Sequence, residues 1–145
     1  KACKFCNLPL ENAVYDINDI IETIDYCLEK VEFRHFLIGG GTYSLAGGWD
    51  IILKIATYIR SRSNKDIYLM SIPPQDISIL DKLKKAGITE VAFNLEVFDR
   101  ELAKLIMPGK GYIELNTYIE AFKHAVQLWG KTGCVRSLLI QNILF

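Results

Sequence analysis

The sequence predicts an α/β fold built on a parallel sheet. Segments with the periodicity of amphipathic helices alternate with short apolar segments, and connections of only a few residues join them. Half of the 145 residues are apolar, which suffices for one sizeable hydrophobic core. This order is typical of a partial (β/α) TIM-like barrel of about four βα units, whose first strand and C-terminal part lie outside the sequence. A doubly wound open sheet is the alternative architecture.

The helices are predicted from apolar residues that recur every three or four positions. Asp16 is expected to be the N-cap of the first helix, and Gly87 is expected to lie just past the end of the third. Five segments have this pattern: residues 17–30, 50–61, 75–86, 99–107 and 118–131.

The strands are predicted from short apolar runs bounded by turn residues. In the third of them, Val91, Phe93 and Leu95 fall on one face, whereas Asn94 and Glu96 fall on the other. Four segments have this character: residues 33–38, 67–72, 88–96 and 134–140.

Charge and hydropathy exclude some classes of function. The formal net charge is zero and the pI is near 6.9, so no nucleic-acid partner is expected. The apolar runs are shorter than the roughly 20 residues that span a bilayer, and no signal segment precedes them. We therefore expect a cytoplasmic protein without a membrane partner, whose residues 1–145 form one incomplete barrel domain.

Two of the four cysteines have a spacing that suits metal chemistry. Cys3 and Cys6 stand two residues apart with Phe5 directly before the second, so their thiolates could bind one metal ion or iron–sulfur cluster. Cys27 and Cys134 lie in a helix and a strand pattern and are expected to be reduced core residues. Cys3 and Cys6 would also suit a zinc or rubredoxin-like half site on a non-catalytic βα domain.

Two further motifs follow predicted strands, at the carboxyl ends where parallel α/β proteins bind ligands. Asn94 and Glu96 end the strand over 88–96, where polar side chains need a partner that either a ligand or a core network could supply. A glycine-rich segment that lets backbone approach a ligand closely follows the strand over 33–38 and consists of Gly39, Gly40, Gly41 and Thr42.

Together these motifs resemble the radical S-adenosylmethionine (SAM) superfamily. Cys3 and Cys6 are similar to the last two cysteines of C-x3-C-x2-C, whose first cysteine would stand four positions before Cys3, outside this sequence. The glycine segment is similar to the one that binds the amino group of SAM. Asn94-Leu95-Glu96 resembles the Asn-Leu-Asp/Glu of biotin- and lipoyl-synthase-like members, where it holds the ribose and the methionyl part. Met107-Pro108-Gly109 is similar to the Arg-Pro-Gly that comes after Asn-Leu-Glu in lipoyl synthases, with Met107 in place of the arginine.

The resemblance implies an enzyme with a [4Fe–4S] cluster and SAM as cofactors. An electron from flavodoxin or ferredoxin would reduce the cluster, and SAM would split into methionine and a 5′-deoxyadenosyl radical that abstracts hydrogen from a small-molecule substrate. Phe5 would line the adenine side of the SAM site. Arg136 would replace the arginine that some relatives use for the SAM carboxylate, because Ala121 stands near that place here. Without the first cysteine the chain alone is expected to be inactive, and a degenerate, cluster-free barrel fragment is the remaining alternative.

Overall fold

The computed structural model describes residues 3–4, 16–39 and 48–133. The strand predicted over 134–140 falls outside these ranges and stays a prediction. The same holds for the structural surroundings of seven residues singled out above: Phe5, Cys6, Gly40, Gly41, Thr42, Cys134 and Arg136.

The helices confirm the five periodic segments, with shifts at their ends. Asp16 is the N-cap of the first helix, because its side chain accepts a hydrogen bond from the backbone N–H of Asn18 at 2.8 Å. The last helix begins at Leu115 rather than Tyr118, since the polar first turn that breaks the apolar period still forms helix. The helices are α1 (Ile17–Lys30), α2 (Trp49–Arg62), α3 (Ser78–Lys85), α4 (Arg100–Ile106) and α5 (Leu115–Trp129).

Three of the predicted strands are present as one parallel sheet in the order β1-β2-β3. The sheet register places Gly39 beside Met70 and Ser71 beside Phe93, so all three strands end at the same edge. Parallel α/β architecture is thereby confirmed, whereas the described residues do not form a closed barrel. The strands are β1 (His35–Gly39), β2 (Asp66–Ser71) and β3 (Glu90–Phe93).

One face of the sheet packs against helices. Ile67, Leu69, Val91 and Phe93 point to that face and are at most 1% exposed, as the alternation predicted for the third strand requires. Leu37 points to the other face and is 58% exposed within the described part of the chain. The helical layer completes the core with residues that include Ile59, Leu80, Leu83, Ala121 and Ala125.

The helices of the described ranges are also too short or too polar to cross a bilayer.

Candidate functional site

The common edge at which the strands end carries the first part of the candidate site. Gly39 is the last residue of β1, and an added Cβ there would meet no described atom closer than the Met70 carbonyl oxygen at 3.8 Å. Packing against the described protein therefore does not require glycine at this position. Asn94, at the same edge but two strands away, follows β3 directly and is half-buried.

Glu96 lies in an unusual backbone conformation just beyond β3. Its φ is +63°, and no other non-glycine residue of the described ranges has a positive φ. The backbone N–H of Val97 donates to the Leu95 carbonyl at 2.8 Å, which closes a three-residue γ-turn around Glu96. Left-handed backbone at a residue with a Cβ costs about 1–2 kcal/mol, so the surrounding structure must hold it.

The Glu96 carboxylate is paired through one oxygen only. Its Oε1 accepts a hydrogen bond from Lys110 Nζ, and the two side chains are 18% and 12% exposed. The other oxygen, Oε2, is buried and has no hydrogen-bond partner in the described part of the chain. Buried carboxylate oxygens are normally satisfied, so Oε2 marks a place where a donor is expected.

Lys110 belongs to a turn that is fixed to the end of α4. We call residues 107–113 the 107–113 turn. The backbone N–H groups of Lys110 and Gly111 both donate to the Met107 carbonyl, at 3.1 and 2.7 Å. Gly111 lies against the helix so closely that a Cβ would be 2.4 Å from the Ala103 carbonyl oxygen. The turn is therefore held in place by its backbone.

Arg100 joins this turn to the segment that follows Glu96. Its guanidinium donates to the Val97 carbonyl at 2.9 Å and to the carbonyls of Gly111 and Ile113, each at 2.8 Å. Because one planar cation binds all three carbonyls, the two segments that carry Glu96 and Lys110 are held at a fixed separation.

The cysteine segment contacts the same part of the molecule. The backbone N–H of Lys4 donates to the carbonyl of Ile106 at 2.9 Å, and Ile106 directly precedes the 107–113 turn. Cys3, the neighbour of Lys4, is half-buried. The cysteine segment thus contacts the end of α4, directly before the turn that carries Lys110, the partner of Glu96. Within the described residues no three His, Cys, Asp or Glu side chains are grouped as metal ligands, and Cys6 is outside them.

Tyr118 lies under this site with its hydroxyl 3.5 Å from the Asn94 carbonyl. The residue is 3% exposed. Burial raises the pKa of the Tyr118 hydroxyl to about 12; the Arg100 cation acts against this increase, and the Glu96 carboxylate adds to it. The hydroxyl is therefore protonated at neutral pH and can donate a hydrogen bond at the carboxyl edge of the sheet.

Comparison with models of known protein families identifies the family of the chain. The family model of the radical SAM superfamily matches residues 1–142. The chain belongs to the radical SAM superfamily. The superfamily typically uses a [4Fe–4S] cluster and SAM, and its domain is a partial TIM-like barrel. No curated protein and no solved structure gives a significant match to the chain.

Membership confirms the superfamily predicted from the motifs, while the match covers no particular subtype. The roles assigned to individual residues stay predictions. Sequence reasoning missed Arg100, Lys110 and Tyr118. Glu96, a lone acid at the end of an apolar segment, is a signal that a cation should be near. Arg100, Lys104 and Lys110 all follow Glu96 in the sequence, and only the path of the 107–113 turn brings Lys110 to Glu96.

Proposed function

We propose that this protein is a radical SAM enzyme with a [4Fe–4S] cluster held by Cys3, Cys6 and a cysteine four positions before Cys3. The observation that carries the proposal is the buried Oε2 of Glu96, which has no hydrogen-bond partner among the described residues. Its other oxygen binds Lys110, on the turn that follows Ile106, and the Ile106 carbonyl accepts from the backbone N–H of Lys4 in the cysteine segment. A ribose hydroxyl of SAM is a donor of the kind that this oxygen lacks, so the residues present fit the cofactor.

The chain's own residues bind and orient the cofactor. Glu96 accepts a hydrogen bond from the ribose, and Asn94 contacts the methionyl part. Gly39 begins the segment whose backbone approaches the amino group. The remaining assigned residues follow the family resemblance: Phe5 for the adenine side, Gly40, Gly41 and Thr42 for the amino group, and Arg136 for the carboxylate.

When bound and reduced, the cluster and SAM together supply a 5′-deoxyadenosyl radical, and the protein excludes water and positions a small-molecule substrate. We propose flavodoxin or ferredoxin as the electron donor and the cytoplasm as the place of the reaction. Among superfamily members, Asn94-Leu95-Glu96 favours a biotin- or lipoyl-synthase-like arrangement of the SAM site.

The test uses the protein with the residues that precede Lys1, reconstituted anaerobically with iron and sulfide and reduced with dithionite. We expect 5′-deoxyadenosine to form from SAM. Cys3→Ala and Cys6→Ala should each lower its rate at least about 100-fold, because a cluster ligand is lost. Cys27→Ala is the matched control, since Cys27 lies on α1 outside the cysteine motif, and its rate should stay within about twofold of the wild type.

Two results would contradict the proposal. Zinc at about one ion per chain, with no charge-transfer absorbance after reconstitution, would favour the non-catalytic metal-binding module. A cluster-loaded protein in which Cys6→Ala changes nothing would show that Cys6 is not a ligand.

A further inference from the structure

We propose that Lys110 is a positioning residue that orients the Glu96 carboxylate so that its Oε2 faces the ribose hydroxyls of SAM. The inference rests on the proposed function. It adds a second protein group to the ribose site, one that acts through Glu96 and does not itself bind the ligand.

The first argument is that the two oxygens of the Glu96 carboxylate have different surroundings. Lys110 binds Oε1, and Oε2 is buried without a partner within residues 3–4, 16–39 and 48–133. Each of these side chains is less than one-fifth exposed, so the carboxylate depends on Lys110 for its charge compensation. A carboxylate whose Oε1 is held by Lys110 presents Oε2 at a fixed place, with the lone pairs of Oε2 left to accept hydrogen bonds.

The second argument is that both members of the pair are built into constrained backbone. Glu96 is the central residue of a γ-turn with positive φ, and Lys110 lies on a turn whose carbonyls Arg100 binds. Little side-chain or backbone freedom is therefore left for a ligand to remove when it binds. Such preorganisation is expected where a site must hold a ligand hydroxyl in one place.

The third argument is the contrast with a second Lys–Glu pair nearby. Lys104 Nζ lies 2.8 Å from Glu101 Oε1, one turn apart on α4, and the Glu101 side chain is 85% exposed. That pair needs no strained backbone and faces water, as ordinary surface pairs do. Lys104→Met therefore removes a lysine of the same kind without touching the carboxylate of Glu96.

The experiment compares two ligands on four proteins. The ligands are S-adenosylhomocysteine and its 2′,3′-dideoxy analogue, which lacks both ribose hydroxyls, and the proteins are the cluster-reconstituted wild type, Lys110→Met, Lys110→Arg and Lys104→Met. Equilibrium dialysis gives the Kd, and thermal unfolding reports whether each variant is folded.

We expect Lys110→Met to raise the Kd for S-adenosylhomocysteine about 5- to 30-fold, since a hydrogen bond to a charged group is weakened. The Kd for the dideoxy analogue should change by about twofold at most, because the interaction that Lys110 supports is missing there. Lys110→Arg should recover affinity to within about threefold of the wild type, and Lys104→Met should leave both values within about twofold.

An equal loss of affinity for both ligands in Lys110→Met would overturn the inference, since it would mean general damage to the site. Unchanged affinity for S-adenosylhomocysteine would overturn it as well. If Lys110→Met does not fold, Lys110→Arg decides. A ribose-dependent part of the affinity that stays within about threefold of the wild type would support the inference, and its loss in the folded Lys110→Arg protein would overturn it. A wild-type protein that binds neither ligand would instead contradict the proposed function, and the inference with it.

Discussion

Two arginines bind backbone carbonyls at opposite ends of the sheet, and their surroundings differ. Arg60 lies at the amino ends of the strands and donates to the carbonyls of Ser63 and Lys65, each at 3.1 Å, and of Gly87 at 2.9 Å. Arg100 lies beyond the carboxyl end of β3 and likewise binds three carbonyls, one of them that of Gly111. In each case one planar cation adds hydrogen bonds that connect separate loops to one another.

Thr89 and Trp129, near Arg60, have hydrogen-bond partners, whereas Glu96, near Arg100, is incompletely satisfied. The other buried side-chain oxygen without a hydrogen bond in the described ranges is Asp25 Oδ1, which lies 3.3 Å from Arg62 Nε. At the amino ends, the Thr89 hydroxyl accepts from the Ile67 N–H at 2.9 Å, and the Trp129 indole donates to the Ile88 carbonyl at 2.8 Å. At the carboxyl ends, Glu96 combines a positive φ with a buried oxygen that has no partner among the described residues. The comparison shows that strained backbone and an unsatisfied carboxylate coincide beside Arg100, at the edge where parallel α/β proteins bind ligands, and not beside Arg60.

The largest expected effect comes from the two glycines whose carbonyls these arginines bind. Gly111→Ala would put a Cβ 2.4 Å from the Ala103 carbonyl oxygen, and Gly87→Ala would put one 2.7 Å from Arg60 Nε at a φ of +99°. Each should lower the free energy of unfolding by about 2–4 kcal/mol, measured by urea denaturation. Only Gly111→Ala should also weaken S-adenosylhomocysteine binding, about tenfold, because it displaces the turn that carries Lys110.

Equal losses of ligand affinity in the two glycine variants would remove the distinction between the edges. Gly39→Ala serves as the control for stability: its Cβ has room, so its free energy of unfolding should stay within about 0.5 kcal/mol of the wild type.

A smaller effect is expected from the arginines themselves. Arg60→Met and Arg100→Met should each cost about 2 kcal/mol of stability, since three carbonyls lose a charged donor while the aliphatic stem is kept. Arg100→Met should also raise the Kd for S-adenosylhomocysteine about 3- to 10-fold, and Arg60→Met should leave it within about twofold. A ligand effect of Arg60→Met as large as that of Arg100→Met would mean that affinity only follows global stability.

The architecture was predictable because it depends on periodicities that residues carry locally. Five helices and three parallel strands follow from apolar spacing, and the ends are set by single residues such as Asp16 and Gly87, whose φ of +99° matches the expected position. The start of α5 was misplaced because Asn116 and Thr117 interrupt the apolar period but not the helix.

The candidate site was only partly predictable. The order of strands and helices predicted that Cys3 and Glu96 lie at one edge, and the structure has Glu96 just beyond the carboxyl end of β3. The partners of Glu96 were not predictable, because Lys110 reaches it through a turn fixed by hydrogen bonds from Arg100 to backbone carbonyls, and every residue has a carbonyl. The positive φ of Glu96 likewise has no signature in the side chain, as glycine or asparagine would be the usual residue there.

The smallest expected effect is a change in stability with pH that comes from Tyr118, at the carboxyl edge of the sheet. The pKa of Tyr118 is about 12 in the folded protein against an ordinary value of 10.0, so the stability linked to its protonated hydroxyl is fully present below pH 10 and falls as the pH rises toward 12. Near pH 11 this loss amounts to about 1.4 kcal/mol. Tyr118→Phe should abolish that part of the decrease between about pH 9 and 11 in urea denaturation, whereas Trp129→Phe, which removes a non-titrating donor at the opposite edge, should keep it. A decrease of equal size in wild type and Tyr118→Phe would mean that the hydroxyl beside Asn94 ionises as readily in the folded as in the unfolded chain, and that this part of the carboxyl edge is open to water.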